Sequence, residues 1–221
     1  MNGLLLQTCL PTGIEWMWRW ASASIEQGNN MFIFPLEQNP YYQNYAFREK
    51  FLSPEECERV LILLNQYPLK EFAARKEDSS GDLRKSRASA LPWTQESAGI
   101  CQRLAAAVVE ANKSLYNFNL TGIVENLQID EYGVGQYFDW HQDFGFREQS
   151  IHKLNIVVQL SDPNRYQGGD LELQSGSTVR KAPRSRGAIT MFPSFVPQRI
   201  TPVTSGVRHS LVGWVSGPPF R

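Results

Sequence analysis

Tyr132-Gly133-Val134-Gly135-Gln136-Tyr137-Phe138-Asp139-Trp140-His141-Gln142-Asp143 is the stretch on which the reading of this chain turns. Two tyrosines, an indole, a histidine and a carboxylate crowd the end of one strand. On a strand, residues two apart project to the same face, so His141 and Asp143 point the same way. An imidazole nitrogen and a carboxylate oxygen so placed suit one metal ion. Completed by a histidine from elsewhere, they form the facial triad of a non-haem Fe(II) site with open positions.

Working outward from this run, the pattern is of short strand-like segments separated by Gly, Pro and Asn. They fall at 123–132, 136–141, 153–160, 170–174, 177–181, 187–192, 198–203 and 207–215. Eight strands so closely spaced predict a β-sandwich or barrel. In 153–160, Leu154, Ile156, Val158 and Leu160 alternate with Lys153, Asn155, Val157 and Gln159, so one face packs on helices and the other lines a polar cavity. Upstream, Ser53-Pro54-Glu55-Glu56 is a capping box with proline in the first turn, and Cys57, Val60, Leu61 and Leu64 follow at helical spacing. A second helix is predicted over Glu96 to Leu115. Residues 75–89, polar and containing Ser79-Ser80-Gly81-Asp82, read as a loop. The expected fold is α+β, mainly β: a double-stranded β-helix (jelly roll, cupin-like) backed by N-terminal helices.

The 221 residues supply one core rather than several, expected as a domain over 45–221 with an N-terminal extension of unreadable role over 1–44. Met31 inside that extension reads as a candidate alternative start. Basic and acidic residues balance at 22 each without a long run of one sign, so neither a nucleic-acid nor a membrane-surface partner is expected. The basic run Arg180-Lys181-Ala182-Pro183-Arg184-Ser185-Arg186 reads as a solvated turn, with an acidic ligand as its alternative. Cys9, Cys57 and Cys101 are scattered and odd in number, which suggests no disulfide framework and a reducing, cytoplasmic setting. Leu4-Leu5-Leu6 is too short for a bilayer span.

Downstream, Gly168-Gly169-Asp170-Leu171, the run from Gly187 through Phe192-Pro193-Ser194, and the run Pro202-Val203-Thr204-Ser205-Gly206-Val207-Arg208-His209-Ser210 on to Trp214 follow in order. In isolation Arg208 reads as a salt-bridge partner, Tyr132 as core and Gly168-Gly169 as a hairpin turn. Together, over roughly residues 45–221, the chain resembles the iron(II)- and 2-oxoglutarate-dependent dioxygenases, in particular the prolyl-4-hydroxylase-like branch that includes the PKHD-type hydroxylases. That resemblance implies hydroxylation of an unactivated C–H bond, with O2 and 2-oxoglutarate consumed and succinate and CO2 released. It implies Fe(II) as cofactor and ascorbate as reductant. It assigns His141 and Asp143 to the metal and Arg208 to the distal carboxylate of 2-oxoglutarate, which a planar guanidinium matches. Ser210 and Tyr132 are expected beside the co-substrate, with Gln159 in the same cavity. Tyr137 and Trp140 are expected on the substrate side. The substrate is open: peptidyl proline, another peptide or protein, or a small molecule. Trp140, the turn Phe144-Gly145-Phe146-Arg147 and loop 75–89 are candidates for a peptide groove.

One position departs from the family pattern. Where the third metal-binding histidine would stand, about ten residues before the arginine, this chain has Gln198. The chain has three histidines, His141, His152 and His209. His209 neighbours Arg208 on a strand and so faces the other side. Gln198 is therefore expected at the third-ligand position, leaving a weakened or metal-poor site, because a neutral amide oxygen binds such a metal less well than imidazole. Two rivals follow: a catalytically impaired jelly-roll binding module that retains the 2-oxoglutarate pocket, and a cupin-type metal protein without 2-oxoglutarate.

Overall fold

A computed structural model describes residues 44–75 and 82–219. The predicted extension 1–44 lies outside the described residues apart from Asn44, and so does the middle of the predicted loop, residues 76–81. In chain order the elements are β1 (Ala46–Arg48), α1 (Pro54–Ile62), β2 (Lys70–Arg75), β3 (Asp82–Leu91), α2 (Ala98–Ala111), β4 (Leu127–Tyr132), β5 (Tyr137–His141) and β6 (His152–Gln159). Then follow β7 (Tyr166–Gly168), β8 (Leu171–Ser175), β9 (Thr178–Lys181), β10 (Ile189–Pro193), β11 (Gln198–Ile200), β12 (Val203–Gly206) and β13 (Arg208–Ser216).

The strands curl into one antiparallel sheet ordered β1-β10-β6-β13-β4-β3-β5-β11-β8-β9, with β2 also on β3 and β12 paired with β7 apart. This is the jelly-roll architecture expected. Its two faces carry two cores. Leu154, Ile156 and Val158 of β6, Ile129 of β4 and Leu211 of β13 pack outward on the helices. Tyr132, Val157, Leu171, Phe192 and Ile200 pack inside the curl. The alternation read in 153–160 places Asn155, Val157 and Gln159 on that inner face.

Helix α1 starts as its sequence dictates. The Ser53 Oγ accepts from the Glu56 amide at 3.2 Å, and the Glu56 carboxylate accepts from the Ser53 amide at 2.8 Å. Helix α2 ends earlier than predicted, passing at Asn112–Tyr116 into a wider turn stopped by Asn117 at φ +55. Among the described residues no helix is long and apolar enough to cross a membrane.

The predicted loop 75–89 is corrected: its described residues belong to β2 and β3. The burial alternation of β3 is clear, but the residues that carry it are Arg84, Ser86 and Ala88. Their low strand propensity and polarity hide a period of two that becomes visible only once their partners are in place. The basic run 180–186 is likewise tied into the fold. Arg184 and Lys181 pair with Asp170, and Arg186 with Glu58.

Candidate active site

Inside the curl lies a cavity of about 360 Å³. Strand β5 delivers His141 to its wall through an irregularity. Gln198 and Ile200, two apart on β11, face His141 and Phe138, three apart on β5. The extra residue is a bulge that turns Phe138 and His141 to the same side. Their rings stack at 3.4 Å between centroids. His141 Nδ1 lies 2.8 Å from the Asp139 carbonyl, so Nδ1–H donates there and the Nε2 lone pair faces the cavity. Burial holds the imidazole pKa below its ordinary value, against the pull of Asp143, which favours the neutral form that binds a metal. Nε2 and Asp143 Oδ1 are 3.7 Å apart. At that separation the two atoms would hold one metal ion between them.

The same bulge sets where two residues expected on the substrate side project. Tyr137 and Trp140 are not on the cavity wall. Tyr137 donates its hydroxyl to the Asp82 carbonyl at 3.1 Å, and Trp140 lies under the Arg199 guanidinium at 4.7 Å. Both project from the opposite side of β5.

Gln198 pairs with His141 across the ladder and lines the cavity, but its amide is turned to the carboxylate. Gln198 Nε2 donates to Asp143 Oδ2 at 2.7 Å, and Asn155 Nδ2 donates to the same oxygen at 2.8 Å. Among the described residues no group of three or more His, Cys, Asp or Glu could hold a metal. His209 faces outward, 2.9 Å from Glu131, and His152 is held by the Asp143 carbonyl and Glu125. The donor set thus fits a metal through two strong ligands, with an amide beside them.

Arg208 enters from β13, whose register sets it opposite Tyr132 on β4. It is 2% exposed, its guanidinium donates to Ser210 Oγ at 3.2 Å, and no described residue brings a carboxylate within 4 Å of it. A buried cation without a counter-charge is costly, so this one marks an anion site. The other deeply buried arginine, Arg84, shows the contrast: it pairs with Asp130 at 2.7 Å between the rings of Phe72 and Phe138. Gly169, at φ +61, leaves room for Arg208, since a Cβ there would sit 3.0 Å from its Cδ. Gln159 lines a small recess beside Arg208, donating to the Tyr166 hydroxyl at 2.9 Å. Ser210 and Tyr132 line the main cavity. Burial pushes the Tyr132 phenol well above its ordinary pKa, keeping it a neutral donor, here to Asp130 Oδ2 at 3.3 Å.

Sequence reasoning missed Arg84, Asp130, Asn155 and Tyr166. Asn155 was visible as a polar residue on the inward face of β6. Arg84 lay in the stretch read as loop.

Residues 127–216 match the family model described as the 2OG-Fe(II) oxygenase superfamily. The match covers less than half of the chain. All the cavity residues named above except Arg84 and Phe72 lie within the matched residues. Fe(II) and 2-oxoglutarate are the cofactor and co-substrate that this superfamily implies. A PKHD-type hydroxylase of Synechococcus sp. (strain CC9605) is 33% identical over 100 residues, 45% of each chain. One of Cupriavidus metallidurans is 30% identical over 126 residues, 54% of this chain and 55% of the relative. The chain thus spans about half the length of the curated relatives it matches. Among solved structures, a Pseudomonas putida prolyl-4-hydroxylase aligns with TM-score 0.60 at 16% identity, over 79% of this chain and 92% of that one. A Trichoplax adhaerens prolyl hydroxylase, in complex with a hypoxia inducible factor peptide fragment, aligns with TM-score 0.63 at 14% identity, over 94% of each. At those identities the likeness shows the jelly-roll fold.

Proposed function

We propose that this protein is a non-haem Fe(II)- and 2-oxoglutarate-dependent dioxygenase that hydroxylates an unactivated C–H bond of a peptide residue such as proline, or of a small molecule. The observation that carries the reading is the buried Arg208, without a carboxylate partner among the described residues, beside a cavity whose wall presents His141 Nε2 and Asp143 Oδ1. His141 and Asp143 would hold the metal. Bound iron and 2-oxoglutarate would supply the oxidising chemistry, and the protein would supply position and dryness. Arg208 holds the distal carboxylate of the co-substrate, and Ser210 beside it adds a hydroxyl. Tyr132, kept protonated, donates without adding charge. Val157, Leu171 and Ile200 line the cavity with apolar surface and exclude water.

A peptide substrate is supported by the peptide bound to the Trichoplax structure. Gln198 supports a second reading, a module that binds 2-oxoglutarate without turnover. One experiment separates them: succinate release from 2-oxoglutarate with Fe(II) and ascorbate, with and without proline-containing peptides, for the wild-type chain and Gln198→His. Turnover by the wild type establishes the dioxygenase. Co-substrate binding with turnover only in the histidine variant establishes the module. Failure of 2-oxoglutarate to bind at all refutes both.

A further inference from the structure

We infer that Gln198 is a positioning residue and not a metal ligand, and that metal retention in this chain is therefore coupled to 2-oxoglutarate; this rests on the reading just given. Gln198 and Asn155 come from β11 and β6, on different walls of the cavity, and both spend their amide N–H on one atom, Asp143 Oδ2. A carboxylate oxygen held by two donors at 2.7 and 2.8 Å is pinned, which leaves Oδ1 turned towards His141. The clamp also locks the glutamine. Flipping its amide would set Oε1 against the carboxylate oxygen, two acceptors face to face. The carboxamide's strong role is thus as a donor to Asp143, while its oxygen is at best a neutral, weak donor to a metal. Asn155 adds a second observation. It is 1% exposed, and its Oδ1 has no hydrogen-bond partner among the described residues. A buried acceptor left open on the cavity wall points to an N–H or O–H donor that is not part of the fold, such as a water held in the site.

Two strong protein ligands hold a divalent ion poorly. The charge around the cavity adds to this. Asp130 is spent on Arg84 and Asp170 on Arg184, so Asp143 and Arg208 are left to balance each other. A bare divalent ion would bring two uncompensated positive charges into a buried space. The dianionic co-substrate removes both deficits, since it brings metal donors of its own and satisfies Arg208. By linkage, each must then tighten the other by the same factor.

The test measures Mn(II) binding to the metal-free full chain, by loss of the free-ion electron paramagnetic resonance signal, with and without 2-oxoglutarate. The wild type, Gln198→His, Gln198→Leu and Asn155→Leu are compared, with folding checked by circular dichroism. We expect saturating 2-oxoglutarate to tighten Mn(II) at least tenfold in the wild type. In Gln198→His the ion alone should bind at least tenfold tighter than in the wild type and the factor should be smaller, because imidazole supplies the missing ligand while the charge on Arg208 remains. The two leucine variants should each lose about tenfold, since they release the same carboxylate oxygen. A wild-type affinity indifferent to 2-oxoglutarate overturns the coupling and leaves the dioxygenase reading standing. A far larger loss in Gln198→Leu than in Asn155→Leu makes Gln198 a ligand and overturns the clamp. Should the leucine variants misfold, the wild-type and histidine arms still decide the coupling. Absence of Mn(II) binding by the wild type under every condition overturns the metal-dependent reading itself.

Discussion

Replacing Arg208 by methionine should separate binding from stability in opposite directions. The guanidinium is 2% exposed and has Ser210 Oγ as its one hydrogen-bond partner among the described side chains. Without ligand, the buried charge is a burden on the fold. Exchanging buried charge for apolar atoms of similar volume has stabilised other proteins by about 1–4 kcal/mol. We take the low end, about 1–2 kcal/mol, because methionine is shorter than arginine and fills less of the space beside Gly169. For a chain of this size that raises Tm by roughly 2–8 °C. Binding should move the other way. Two charge-assisted hydrogen bonds to a carboxylate are worth about 3–5 kcal/mol when lost together, or roughly two to three and a half decades in Kd. Calorimetric titration with 2-oxoglutarate and thermal melts with and without it measure both numbers on one sample. The wild type should gain Tm on adding 2-oxoglutarate, and the variant should not. An Arg208→Met protein that binds 2-oxoglutarate within tenfold of the wild type would refute the assignment of the anion site.

Arg84→Met should destabilise by about 3–5 kcal/mol in chemical denaturation, because it strands Asp130 in the interior. The double variant Arg84→Met/Asp130→Leu should recover most of that loss. Gly169→Ala should cost about 1–2 kcal/mol through its positive φ and a Cβ 2.9 Å from Val203 Cγ2. It should also weaken 2-oxoglutarate by displacing Arg208, read in the same titration. Glu131 has its pKa lowered by the His209 hydrogen bond, against the opposing effect of burial. A depressed carboxylate stabilises above its unfolded pKa of about 4.3, and that stabilisation is lost as pH falls through the folded value. Glu131→Gln should therefore be less stable by about 1 kcal/mol at pH 7, with the gap closing below about pH 4 in denaturant titrations.

Between β4 and β13 all strands except the short pair β7 and β12 were legible, because apolar residues recur in them and their breaks carry glycine and proline. β3 was not, because its inward positions are Arg84 and Ser86, whose burial makes sense only beside Asp130 and Phe72. Nothing in the spacing of Tyr137 and Trp140 announces the bulge opposite Gln198 and Ile200, which sets both apart from His141 and Phe138.

The sequence by itself determined the jelly roll, the convergence of His141 with Asp143, and the presence of glutamine where the family pattern has histidine. Each follows from local periodicity or from the identity of one side chain. Only the tertiary structure decided that Arg208 is buried without a carboxylate partner among the described residues, and that Gln198 gives its amide to Asp143 alongside Asn155. Those facts depend on which strands become neighbours and which way an amide turns. Both are set by hydrogen bonds between residues far apart in the chain, where no local pattern records them.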